Sequence, residues 1–245
     1  MWKHSQVASD LTHHQVGGQA LYESRFDEIQ SFRDPGLAPV RLGRFWFHIR
    51  QDGLPAYASR FSQAFGFYEG LAAVDLDGEW FHIDPLGIPA YSARFRWCGN
   101  FQEGRAVVSL PEGGYGHVLP DGTMAYRRSH VYVGDYREGA AVVLDHDGMM
   151  FHIDNQGHPL SGVRFLDLAP YHKGIAPAKD RRGWFHIDRK GRELYPHRFQ
   201  AVEPFYNGLA RAVTPDGAIL RVDEHGKTVE TLVNPTFSSR VPKRQ

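Results

Sequence analysis

Apolar residues along this chain come in short runs closed by polar or glycine-bearing turns, and no window carries the long i, i+3, i+4 face of a helix. The runs recur. A block of two aromatics, His, Ile, Asp and then Gly returns about every 35 residues, clearest at Trp46 to Ile49, Trp80 to Asp84, Phe151 to Asp154 and Trp184 to Asp188. Weaker copies begin at His13, His117 and Arg221. Aligned on the third position, His13, His48, His82, His117, His152, His186 and Arg221 are each followed five residues later by glycine, as a tight turn at positive φ requires. Upstream, a Gly-x-Ala element such as Gly70-Leu71-Ala72 opens a run of small residues. Each unit therefore predicts a three-stranded meander: a small-residue strand (Gly70 to Asp75), a bulky strand (Glu79 to Asp84) and a third strand after the turn (Ile88 to Phe95).

A unit of this length cannot bury a core alone and has to stack on its neighbours. The expected fold is all-β, with seven units of about 35 residues forming a single repeat domain over residues 1–234 and a flexible tail over 235–245. Two arrays fit: a closed seven-bladed β-propeller and an open β-superhelix of stacked meanders. The gradient from Gly, Ala and Val to Trp and Phe within a unit favours closure, because blades converge on an axis. The absence of a polar capping repeat points the same way.

A formal net charge of zero lacks the electrostatic footprint of a nucleic-acid binder. No run is long enough to span a membrane, and Met1 to Asp10 lacks the apolar stretch of a signal peptide, so the expected compartment is the cytoplasm. The single cysteine, Cys98, cannot form an internal disulfide and reads as a small buried hydrophobe.

The pattern resembles the bacterial WG-repeat family through Gly70-Leu71-Ala72-Ala73-Val74, Trp80-Phe81-His82-Ile83-Asp84 and their equivalents. It departs from that family in placing Phe and His where Gly and an aromatic usually follow the Trp. It is similar to a His-rich subgroup, and the resemblance implies bacterial specialised metabolism and a neighbourhood of small-molecule methyltransferases. It implies no catalytic residue.

Three sets of side chains carry candidate chemistry. His48, His82, His117, His152 and His186 occupy equivalent positions, where a ring of imidazoles would suit a transition metal. The favoured reading is structural, each His packed between units and bonded to backbone or to the Asp two residues on. Arg25, Arg60, Arg94, Arg164 and Arg198 form a second series fitted to an anionic ligand, or to ion pairs with Asp84, Asp154 and Asp188. Breaks in the repeat are the third set: Ser129-His130 replaces Arg-Phe and is followed by Tyr132, while unit six carries Tyr171-His172-Lys173. His130, His172, Tyr132 and Lys173 are thus the candidate catalytic residues. No GxGxxG, phosphate loop, HExxH or GxSxG is present. The expected function is a binding module for a small molecule or a protein, a methyltransferase included. The alternative is an enzyme with a His-rich, metal-dependent site.

Overall fold

A computed structural model describes residues 2–235, so the expected tail beyond Pro235 lies outside the described residues. Among the described residues, apart from a 3-10 turn at Trp2–His4, every regular element is a strand. Seven antiparallel meanders follow one another along the chain, which divides into two compact units, Met1–Asp135 and Tyr136–Gln245.

In the first unit, the second meander is built from Glu28–Ile29, Ala38–Leu42 and Phe45–Ile49, and the third from Gln63–Ala64, Ala72–Leu76 and Glu79–Ile83. The fourth contains Trp97–Gln102, Arg105–Ser109 and Tyr115–Val118, and the short strand Tyr132–Val133 follows it. The second unit opens with the hairpin of Ala141–Leu144 and Met150–Ile153. Its next meander comprises Asp167–Leu168, Ala176–Asp180 and Gly183–Ile187. The last has four strands, Ala201–Val202, Leu209–Val213, Ile219–Asp223 and Thr228–Val233.

The closed propeller expected from the sequence is corrected by this pairing. Each sheet is made of strands consecutive in the chain, and no sheet is closed or curled. Gln6–Val7, His14–Val16 and Gln19–Ala20 pair among themselves, and Thr228–Val233 completes the last sheet with every residue exposed. The small-residue gradient has another cause. Middle strands such as Ala72–Leu76 are covered on both faces, with Ala72, Ala73 and Val74 fully buried, so close approach of neighbours demands small side chains whether or not an array closes.

The predicted third strand is also corrected. Residues 88–95 pair through backbone with the bulky strand only at two bridges, Ile83 with Pro89 and Trp80 with Phe95. Between them the chain turns, and Arg94 Nη1 donates to the carbonyls of Tyr91, Ser92 and Ala93 at 3.2, 3.1 and 2.9 Å. A strand cannot spend three successive carbonyls on one guanidinium and still pair. The meander is completed instead by the segment ahead of the small-residue strand, joined to it through a tight turn. At Glu69 (φ 50°) and Gly70 (φ 84°) both central residues are left-handed, the type I′ geometry that matches strand twist. The Glu69 carboxylate accepts the N–H groups of Glu103 and Gly104 in the next such turn, both at 2.7 Å, and so fixes the spacing of successive meanders. Glu138 does the same in the second unit, accepting from Lys173 and Gly174 at 2.5 and 2.8 Å.

Candidate functional site

The repeated histidines are stitches between meanders. On the bulky strand three consecutive residues, Phe81, His82 and Ile83, are all buried, which places the imidazole inside the packing. His82 Nε2 donates to the Gly99 carbonyl of the next meander at 2.8 Å, and Tyr91 Oη bonds Nδ1. A carbonyl only accepts, so Nε2 carries the proton, Nδ1 presents its lone pair, and the phenol must be the donor. The same arrangement links His48 to Phe65 O (2.8 Å) and Tyr57, His117 to Gly134 O (2.9 Å) and Tyr126, and His186 to Glu203 O (2.9 Å) and Tyr195. His152 reaches Ala169 O at 3.0 Å, and with Ser161 at the tyrosine position it stacks on Tyr171 at 4.0 Å.

In the first repeat the stitch is His14, not the His13 of the sequence alignment: His14 is fully buried and bonds Tyr22 Oη at 2.6 Å and Gln30 O at 2.9 Å. The block Asp is engaged elsewhere, Asp84 Oδ1 accepting the N–H groups of Leu86 and Ile88 in the glycine turn. Burial pushes His48, His82, His117, His152 and His186 down to about 4, only partly offset by the carbonyl bond. The same burial raises Tyr22, Tyr57, Tyr91 and Tyr195, Tyr22 to about 12. Among the described residues no group of three or more His, Cys, Asp or Glu is arranged to hold a metal.

Tyr22, Tyr57, Tyr91 and Tyr195 also seat the next turn. A Cβ built on Gly87 would lie 2.6 Å from the Tyr57 ring, and φ there is 77°, so that position is restricted to glycine twice over.

The arginine series lies against its own repeat. Arg25 and Arg60, like Arg94, cap three carbonyls of the turn before them. The guanidinium of Arg60 stands 4.0 Å over Phe47, that of Arg164 4.3 Å over Phe151, and that of Arg198 3.6 Å over Phe185. Arg164 pairs with Asp145 and Asp147, each at 3.5 Å, and Arg198 with Asp180 at 2.9 Å and Glu193 at 2.6 Å. Their partners are therefore not the block aspartates Asp84, Asp154 and Asp188.

The candidate catalytic residues fall in different places. His130 occupies the buried phenylalanine position of the other repeats, fully covered and bridged to Tyr115 through backbone. His172 and Lys173 belong to the second unit. There His172 Nδ1 accepts from Arg137 at 3.1 Å and its ring lies 4.7 Å from Tyr206, while Lys173 is exposed with its N–H held by Glu138. Of the four, Tyr132 lines a cleft.

That cleft, of about 450 Å³, lies in the first unit between Trp97, Val107, Tyr115, Tyr132, Val133, Gly134 and Asp135. Cross-strand rows explain it. In three other meanders the row ahead of the block reads Glu28, Arg41, Trp46, or Gln63, Asp75, Trp80, or Asp167, Lys179, Trp184, and in the last it reads Ala201, Val213, Ile219. In the fourth it reads Trp97, Ser109, Tyr115, so a small hydroxyl separates two aromatics. The indole of Trp97 folds back over Gly99, where a Cβ would sit 3.0 Å from it. It continues a line of rings through Trp80 at 6.4 Å to Phe65, a further 5.2 Å on. Trp97 remains 38% and Tyr132 49% exposed, a large apolar expanse to leave in water. Asp135 is exposed at the mouth, yet the apolar surroundings hold its carboxyl above the ordinary carboxylate value. A second cavity of about 480 Å³ is more polar, and its one cation, Arg33, is already stacked 5.0 Å over Tyr68. Trp97, Tyr115 and Asp135 were not singled out from sequence; the signal that finds them is the replacement of a polar residue by Trp97 and Tyr132 at the same strand position of successive repeats.

Two segments, 57–80 and 184–214, match the family model described as WG containing repeat, and together they cover well under half of the chain. The matches carry the short motif and lend nothing to a His-rich, methyltransferase-linked subgroup. No curated protein matches. Among solved structures, the computationally designed Ika8 protein is similar at 15% identity over 93% of this chain and 82% of its own, with a TM-score of 0.52. BamB from Moraxella catarrhalis gives 11%, 83%, 69% and 0.46, and the WD40 beta propeller domain of Doa1 gives 12%, 86%, 80% and 0.37. The first likeness bears on fold alone, and the other two are too distant to argue from. No helix among the described residues is long and apolar enough to cross a membrane.

Proposed function

We propose that this protein is a repeat scaffold that binds a small molecule in the aromatic cleft of its first unit. The observation that carries this reading is the placement of Trp97 and Tyr132 on the first strands of successive repeats, exposed at positions that hold polar or small residues in other meanders. Folding alone gives no reason to trade a solvated glutamine or glutamate for an indole held half in water. The cleft has the size of a small-ligand site, with apolar walls and few polar groups to set orientation. The metal-dependent enzyme reading lacks free ligands, because every stitch histidine donates Nε2–H to a carbonyl.

A fragment screen read by 19F NMR of protein labelled with 5-fluorotryptophan tests the assignment. The Trp97 resonance, identified with Trp97→Phe, is expected to move with ligand while those of Trp46 and Trp184 stay. Fragments that move no tryptophan, or all of them alike, would refute it.

A further inference from the structure

We infer that the cleft takes a small organic ammonium, its cationic head between Trp97, Tyr115 and Tyr132 and its charge opposite Asp135. This rests on the reading of the cleft as a ligand site and adds the class of ligand. Three aromatic side chains line one cavity, and the negative face of a ring attracts a cation that has shed its water. A metal ion or bare ammonium holds its hydration too strongly for such walls, whereas an alkylated ammonium spreads its charge over methyl groups that also bury apolar area.

The charge at the site selects the same ligand. Asp135 is the one formally charged residue lining the cleft, and no hydrogen bond or ion pair from the described residues engages its carboxylate. Among the described residues no cation lowers Asp135; only loss of solvent acts on it, in the direction a bound positive charge would reverse. An anionic ligand would add like charge to this carboxylate. A neutral apolar ligand would fill the walls and leave Asp135 uncompensated.

The test compares choline with 3,3-dimethylbutan-1-ol, which has the same shape without the charge, by titration of the full chain under the 19F readout of Trp97. Choline is expected to bind at least about tenfold more tightly, equivalent to about 1.4 kcal/mol. That advantage should fall severalfold in Asp135→Asn, and choline binding should be lost in Trp97→Ala. Asp135 is exposed, so its variant should keep the parent near-ultraviolet circular dichroism. Equal affinity for the two probes in the parent protein overturns the ammonium assignment while leaving the cleft as a ligand site. No response of Trp97 to either probe overturns the ammonium assignment, and a blank fragment screen overturns the site as well. A trimethyllysine peptide binding tenfold more tightly than choline would place the ammonium on a protein and refute the small-molecule commitment.

Discussion

Lowering the pH from 7.5 to 5.5 should destabilise this protein severely, although no carboxylate need be protonated in that interval. Five histidines titrate near 4 in the folded chain against about 6.5 when unfolded. The folded state thus prefers the neutral ring, and its advantage is fully present above pH 6.5. It is lost as pH falls from 6.5 towards 4, because the unfolded chain gains protons that the folded one refuses. At pH 5.5 each such histidine has cost about 1.4 kcal/mol, and five together roughly 7 kcal/mol, comparable with the whole stability of an ordinary domain. The aspartates held low by their partners, such as Asp180 and Asp188, lose their contribution only at more acid pH. Urea unfolding at half-unit pH steps measures the effect directly. Its pH dependence near 5.5 should report uptake of about four protons. If the two compact units unfold separately, the uptake should divide into about three for His48, His82 and His117 and about two for His152 and His186. A stability that stays level between pH 7.5 and 5.5, or an uptake below one proton, would refute the buried neutral stitch.

Other expectations follow from the same contacts. Tyr91→Phe deletes the hydroxyl that donates to His82 Nδ1 and should cost about 1–3 kcal/mol in urea unfolding, the penalty for a buried acceptor without a donor; a loss under 0.5 kcal/mol would deny the bond its weight. Gly87→Ala should cost roughly 2–4 kcal/mol, since it combines a left-handed alanine with a clash against Tyr57, whereas Gly78→Ala, at φ 88° in open space, should cost only about 1–2 kcal/mol. Equal losses at the two glycines would rule out the ring as the constraint. Ser161→Tyr restores the missing donor beside His152 over Gly191 and should stabilise by about 0.5–1.5 kcal/mol; a lowered midpoint would mean that the His152–Tyr171 stack cannot share its ring with a phenol.

How much of this was legible depends on whether a residue's role repeats. The spacing of His82, Gly87 and Tyr91 identifies a unit, and the structure gives each member a cause: the imidazole joins two meanders, the phenol fixes its tautomer, and the glycine yields to the preceding ring. Sequence spacing could not choose between His13 and His14, because adjacent histidines both fit a period that varies by one residue; burial chooses His14, whose tyrosine is eight residues on rather than nine. The stretch 88–95 looked like a strand because Ile88, Ala90 and Tyr91 are apolar, yet Tyr91 turns inward to His82 and Arg94 takes the carbonyls a strand would pair. Closure was inferred from small residues in the middle strand, and double-sided burial accounts for those residues without it.

The cleft was the least legible feature because its residues are unremarkable one at a time. Tryptophan is expected somewhere in every repeat, and Trp97 stands only a few residues from the arginine-phenylalanine pair that dominates the alignment. Its significance is positional. At the first-strand position facing Asp75 and Lys179 in other meanders the chain uses Gln63 and Asp167, and only where the partner shrinks to Ser109 does it use an indole. Two substitutions that are each unfavourable in isolation, an exposed aromatic and a missing charge, become consistent once they are neighbours on one row. A repeat scaffold makes this test available internally, since its own other copies show what folding requires at each position, and a site is where adjacent positions abandon that requirement together.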